Sequence, residues 1–280
     1  MTQHTVEHQH PLSARSSVPR GRLARTALTA GFVLSVIVVV TVPLYGAYAA
    51  TGTSAGTLET LAKWAPLILL GFGLNLLMSF IAMGIGTVAG VGLGIAQVSQ
   101  VSWVRRAAWA ATEMFRNTPT LILLFMAMFL LPFELRFGDL VIALPPWLKA
   151  ILGFSLSMMA YVSEIVRGGL QSIPTTQWEA AEALAFTRRD TLRLVIIPQC
   201  FKQMLPPWMN VYAIMIMSTP LASILGVHEG LTITRSAISA EGQPELLAPF
   251  YLFLLALFFV YSYPISLWTL RLERRYAIKH

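Results

Sequence analysis

Long apolar runs alternate with short polar segments rich in arginine. A bilayer core of about 30 Å is crossed by about 20 helical residues. Six runs are long enough: 27–50, 66–98, 107–132, 144–166, 205–227 and 246–270. The pattern predicts an all-α membrane protein with six transmembrane helices. It divides into a disordered basic tail (1–26), a first helix (27–50), an outer segment (51–64), the main bundle (65–270) and a basic tail (271–280). The arginines from Arg15 to Arg25, the first run and Ala47-Tyr48-Ala49 also have the layout of a signal peptide. The run exceeds the usual apolar region of about 7–15 residues, which favours a retained anchor.

Composition agrees with the spans. The chain is 56% hydrophobic and 12% charged, with a mean hydropathy of +0.66. Soluble domains carry about 25% charged residues, so a water-soluble enzyme and a disordered protein are both excluded. The net charge of +7 is explained by where the cations lie. With both termini in the cytoplasm, fifteen of the 20 Lys and Arg fall on cytoplasmic segments, clustered at 15–25, 105–106, 167–202 and 271–279. That asymmetry is the positive-inside rule. Some of these cations are also placed to touch anionic membrane lipid, and no nucleic acid is needed to explain them.

Several chemistries have no residues to carry them. Cys200 is the single cysteine, none of the four lysines follows a glycine, and there is no His-Glu-x-x-His. The chain therefore lacks a P-loop and the common metalloprotease signature, and we assign it no catalytic or metal-binding residues. Intramembrane charge is sparse. Glu113 and Arg116, like Glu164 and Arg167, are spaced i,i+3 near cytoplasmic helix ends, as expected for structural ion pairs. Gly86, Gly90 and Gly94 recur every four residues, a spacing that suits close helix packing.

The segment 168–203 is too polar to span and too patterned to be a linker. Thr176 and Glu179 stand at capping-box spacing before Ala180, Ala181, Ala183, Leu184 and Ala185, good helix formers. Pro174 and Pro198 bracket the unit and are expected to keep it separate from the neighbouring spans. The pattern fits a helix that inserts into a partner's groove or a plain amphipathic surface loop.

Here the sequence resembles permease subunits of bacterial ABC importers. Their loop reads Glu-Ala-Ala, three residues, Gly, nine residues, then Ile-x-Leu-Pro. Glu179-Ala180-Ala181 matches, Ala185 stands in the Gly place, and Val195, Ile197 and Pro198 fall in the last three matched places. Phe115-Arg116-Asn117-Thr118-Pro119, the run from Ala160 to Gly169, Ser172-Ile173-Pro174, Pro198-Gln199 and Leu221-Ala222-Ser223-Ile224 are similar to the polar amino acid branch. The resemblance covers roughly residues 65–275. It implies a five-helix type I core with the first helix as an addition, in the bacterial inner membrane.

The resemblance also implies partners: two ABC ATPase subunits, a second permease chain (identical or not), and a periplasmic or lipid-anchored solute-binding protein. ATP and Mg would sit on the ATPase subunits, with no cofactor in this chain. Glu179, Ala180, Ala181 and Ala185 would form the coupling surface, Trp178 and Leu184 would seat it, and Pro198 would fix its exit. The binding protein would dock on the outer segments 52–64, 133–146 and 228–244. The substrate would be a polar amino acid, or an opine or similar small solute. A membrane enzyme or a sensor is the reading from a different class, which the missing catalytic constellation and the short C-terminal tail disfavour. Asn117, Thr118, Pro119, Ser163, Glu164, Ser218, Thr219 and Ser223 are candidates for the translocation path, because Pro119 and Pro220 free carbonyls within apolar spans.

Overall fold

The computed structural model describes residues 54–137 and 140–276. The expected first tail and first span, 1–50, lie outside the described residues. Helix α1 runs Ser54–Gln97, 44 residues with Pro66 inside. At 1.5 Å per residue it is about 66 Å long, twice the hydrocarbon thickness, so it tilts or extends past the bilayer. It takes in most of 51–64, which was expected as an outer connector.

The third expected span, 107–132, is two helices, α2 (Ser102–Asn117) and α3 (Thr120–Leu130). Pro119 explains the break. It has no N–H to donate, and its ring drives Thr118 to extended geometry (φ −86°, ψ 126°). Thr118 Oγ1 donates back to the Met114 carbonyl at 2.6 Å. Strands β1 (Glu134–Phe137) and β2 (Leu140–Ala143) then form an antiparallel hairpin, with Glu134 opposite Ala143. The all-α expectation holds for the bundle, and this small hairpin is an addition to it. Its signal was β-favouring residues on both sides of Gly138-Asp139.

Helix α4 spans Pro146–Gln171, and α5 spans Thr175–Ala183. A turn, α6 (Arg188–Asp190), leads through a π-helix (Thr191–Ile196) into α7 (Ile197–Ser218). A 3₁₀ segment (Thr219–Leu225) follows, then α8 (Gly230–Glu241) and α9 (Leu247–Tyr276). The outer segment 228–244 is thus mostly helix, and α9 takes in part of the expected tail 271–280. Among the described residues, four helices are long and apolar enough to cross a membrane, and α3 is a shorter apolar helix. Val88 (79%), Phe129 (76%) and Leu70 (71%) are largely exposed on the bundle, as lipid-facing residues are.

The core is built on α4, which lies against α1. A Cβ at Gly86, Gly90 or Gly94 would sit 2.5–2.7 Å from the Cβ of Met158, Val162 or Val166. The partners advance in step, so α1 and α4 run parallel with their backbones nearly in contact. Around this seam Met78, Ala82, Leu124, Phe154 and Met215 are buried in one cluster. A second cluster joins the outer half of α1 to α8 and α9 through Ile68, Ala237, Leu246, Phe250 and Leu254.

Two buried charges hold helix ends of the bundle. Glu229 is 0% exposed and caps α8, accepting from the Leu231 and Thr232 amides at 2.9 Å and from Asn75 Nδ2 at 3.0 Å. Asn75 also donates to Thr219 Oγ1 (2.9 Å) and accepts from the Gly230 amide (3.0 Å). Lys149, also 0% exposed, donates to the Leu131 carbonyl at 3.0 Å and to that of Met128 at 3.3 Å. It thereby satisfies carbonyls at the C-terminus of α3 with a cation that favours that helix end. At the rim, Lys63 and Trp64 both donate to Glu241 Oε1 at 2.7 Å. The Lys63 bond, with that of Trp64, holds the Glu241 carboxyl below its usual range.

Gly90→Val should overpack the seam and cost about 1–3 kcal/mol, read as a lower Tm in detergent. Gly92→Ala, where nothing lies within 4 Å, should leave Tm unchanged or higher. Glu229→Ala would remove the acceptor of donors on α1 and α8 and should cost about 3 kcal/mol or more, measured the same way.

Candidate functional site: the loop between α4 and α7

The mount of α5 begins at the end of α4. Pro174 occupies the N-cap position of α5 with no side-chain cap. The expected Thr176–Glu179 capping box does not form, because the helix starts before Thr176. One element later Thr187 supplies a side-chain cap, its Oγ1 accepting from the Asp190 amide at 3.2 Å and donating to the Asp190 carboxylate. Glu179 is left exposed on the helix surface.

The helix has two faces. Trp178 packs on Ile173, Ile196 and Cys200, with Val195 and Met204 beside it. Ala181 is buried on the same side. Trp178 therefore seats α5 on its own chain, where the sequence suggested seating in the partner. Glu179, Ala180, Glu182 and Ala183 are exposed, and so are Leu184 (70%) and Phe186 (41%). Two large apolar side chains left in solvent beside paired carboxylates make a contact surface.

The helix ends in a Schellman motif. The Phe186 amide donates to the Ala181 carbonyl (3.1 Å) and the Ala185 amide to that of Glu182 (2.9 Å). Ala185 takes the left-handed conformation this needs, with φ 58°. This accounts for glycine at the matching place in the resembled pattern, since glycine enters that region without a Cβ penalty.

Pro198 lies in the first turn of α7 and is exposed. It does not separate the loop from the span. Helical backbone continues through the π-helix, so Arg193–Leu225 form one apolar helical run. Proline lacks the N–H for the preceding ladder, and the wider turn sits just before it. Side chains brace this continuous arm. Gln199 Nε2 donates to Gln177 Oε1 at 3.4 Å, and Ser172 Oγ donates to Gln203 Oε1.

Next to the mount, Glu164 pairs with Arg167 at 2.7 Å, as expected, and with Arg116 of α2 at 3.5 Å. The expected Glu113–Arg116 pair is not formed. Glu113 instead accepts from Asn117 Nδ2 at 2.8 Å, and Arg116 turns across to α4. Ser163 is 0% exposed and bonds to Thr112 Oγ1 at 3.0 Å and Gln97 Nε2 at 3.3 Å. It joins α4 to α1 and α2.

Thr219 is likewise 0% exposed, on Asn75 and the Ile216 carbonyl. These two expected path residues are packing residues here. Ser218 donates to the Ile214 carbonyl. Asn117 and Pro119 are exposed, while Thr118, Glu164, Ser218 and Ser223 are partly so. The Asn75–Thr219–Glu229 node was missed by sequence reasoning. Its signal was a carboxylate before Gly230-Leu231-Thr232, in the N-cap place of a short helix.

Ala185→Gly should tighten the loop by a few tenths to about 1 kcal/mol, and Ala185→Val should loosen it by about 1–2 kcal/mol. Amide exchange at Leu184–Phe186 reads both.

Residues 82–278 match the family described as binding-protein-dependent transport system inner membrane component. A probable amino-acid ABC transporter permease protein, YckA, of Bacillus subtilis (strain 168) is 34% identical over 165 residues, 59% of this chain and 70% of its own length. The inner membrane amino-acid ABC transporter permease protein YhdY of Escherichia coli (strain K12) is 30% identical over 73% of this chain, which spans about half (55%) of that longer relative. The octopine transport system permease protein OccM of Rhizobium radiobacter is 34% identical over 61% of this chain and 71% of its own. Among solved structures, an amino acid ABC transporter with histidines matches with a TM-score of 0.68 and 27% identity, over 78% of this chain and 97% of the other. The inward-facing MetNI methionine ABC transporter, at 18% identity and a TM-score of 0.56 over 76% and 97% of the two chains, shares the fold. The chain belongs to the family of binding-protein-dependent transport system inner membrane components.

Proposed function

We propose that this chain is the permease subunit of an ATP-driven importer of polar amino acids in a bacterial inner membrane. The observation that carries the proposal is the two-faced helix α5. Its inner face is anchored by Trp178 and Ala181, while Glu179, Glu182, Leu184 and Phe186 stand free of the bundle. In this reading that outer face seats in an ATPase subunit, and a second permease chain completes the path. ATP and Mg reside on the ATPase subunits and supply the closing force.

The mechanism follows from the mount. Closure of two ATPase subunits draws their α5 helices together. Trp178 passes the displacement to the π-helix and the base of α7, and Ser172 and Gln203 pass it to the end of α4. Because α4 and α1 touch backbone to backbone, they move as one body, and the outer node through Asn75 carries the motion to α8. The bundle then rocks between states open to either side. The polar groups at Asn117, Thr118, Pro119, Glu164, Ser218 and Ser223 are the path residues in this reading. A solute-binding protein delivers its cargo to the hairpin 134–143 and the outer edge of α8. Both termini lie in the cytoplasm, which the distribution of Lys and Arg supports.

The amino acid class is supported by the relatives named for amino acid transport and by the 27%-identical transporter. A second reading, an opine, is favoured by the octopine permease at 34% identity. Both use the same machinery and differ in cargo.

Reconstitution with the ATPase and binding protein tests the proposal, with amino acids and opines assayed for stimulation of ATP hydrolysis. Glu179→Ala should insert normally and lose transport by about tenfold or more, because removing one partner of a contact charge costs about 2–5 kcal/mol. Wild-type transport by that variant would contradict the proposed contact.

A further inference from the structure

A groove of about 440 Å³ lies between α7, α8 and α9. Met217, Pro220, Tyr251, Leu255 and Phe259 line it. Ser262 also lines it, 8% exposed, and its hydroxyl has no hydrogen-bond partner among the described residues. On α9 the lining residues 251, 255, 259 and 262 form one helical stripe. On the adjacent stripe Phe250 is covered by α1 and α8, and Leu254 and Phe258 reach both that cluster and the groove. One flank of α9 is therefore packed and the next is open, with a buried hydroxyl unsatisfied in it.

We propose that residues 27–50 of the same chain, which lie outside the described residues, fill this groove as a helix. The inference goes beyond transport, and it rests on reading 27–50 as a retained span. Three observations point to this occupant. The apolar run is 24 residues, about 36 Å as a helix. The groove extends from Tyr251 to Ser262, about 17 Å along α9, so the run exceeds it comfortably.

The run also stops three residues before α1, and Thr51-Gly52-Thr53 can reverse the chain. Leu61 and Trp64, two to three turns into α1, pack in the same cluster as Leu231, Leu254 and Phe258. Those three residues also line the groove, so the N-terminal part of α1 belongs to the same packing cluster as the groove wall.

The chemistry matches as well. Val, Leu and Ile dominate the run, and Ser35, Thr41 and Tyr45 offer hydroxyls for Ser262. In hydrocarbon an unpaired hydroxyl is costly, and a neighbouring helix with one polar group removes that cost.

The test is a cysteine scan of residues 30–45 against Leu255→Cys, in the full chain assembled with its ATPase in membranes. The chain carries an N-terminal tag and Cys200→Ala, since Cys200 is its one native cysteine, and each single-cysteine variant in that background serves as control. Oxidation should give a disulfide within one chain, strongest at every third or fourth scanned position, with the tag retained. No disulfide at any position would overturn the proposal. A disulfide joining two chains through Leu255→Cys would overturn it in favour of a second copy in the groove. Loss of the tag from the mature chain would overturn the retained span itself and leave the transport reading untouched.

Discussion

The bundle depends on how closely two backbones approach in a solvent that does not push them together. Lipid tails are as apolar as leucine, so helix association in a membrane rests on packing and on polar contacts between helices. Gly86, Gly90 and Gly94 let α1 lie within backbone distance of Met158, Val162 and Val166. No side chain could occupy those positions without moving α4. Because α4 ends where the mount of α5 begins, the seam fixes the base on which α5 stands.

The second constraint is that every polar atom within the apolar zone needs a partner. The chain meets it at each break in its helices. Pro119 interrupts a span, and Thr118 bonds back to the Met114 carbonyl. Another span turns at Thr219-Pro220, where Thr219 bonds both Ile216 and Asn75. The end of α3 takes a buried lysine, and the start of α8 takes a buried glutamate. The charges flanking the broken helices are therefore structural, each placed at a helix end whose partial charge is opposite.

The segment around α5 combines a packed inner face with a free outer surface. Its inner face is held by an aromatic anchor and a small cluster, and its outer face keeps two carboxylates and two apolar side chains in solvent. The Schellman turn ends α5 sharply and sends the chain into a helical arm that runs through a π-helix into a span. A load applied to the outer face has no flexible linker in which to dissipate.

The sequence by itself determined the long apolar helices and the loop motif, because these follow from local apolar length and residue spacing. Glu179 and the glycine seam were legible for that reason. Only the tertiary structure decided which polar groups meet. Arg116 chooses Glu164 over the nearer Glu113, Trp178 faces its own chain, and Ser163 and Thr219 are buried rather than facing a path. Asn75 finds Glu229, 154 residues away. Such pairings depend on which helix faces come together, and helical spacing within one segment carries no information about the angle at which another segment arrives.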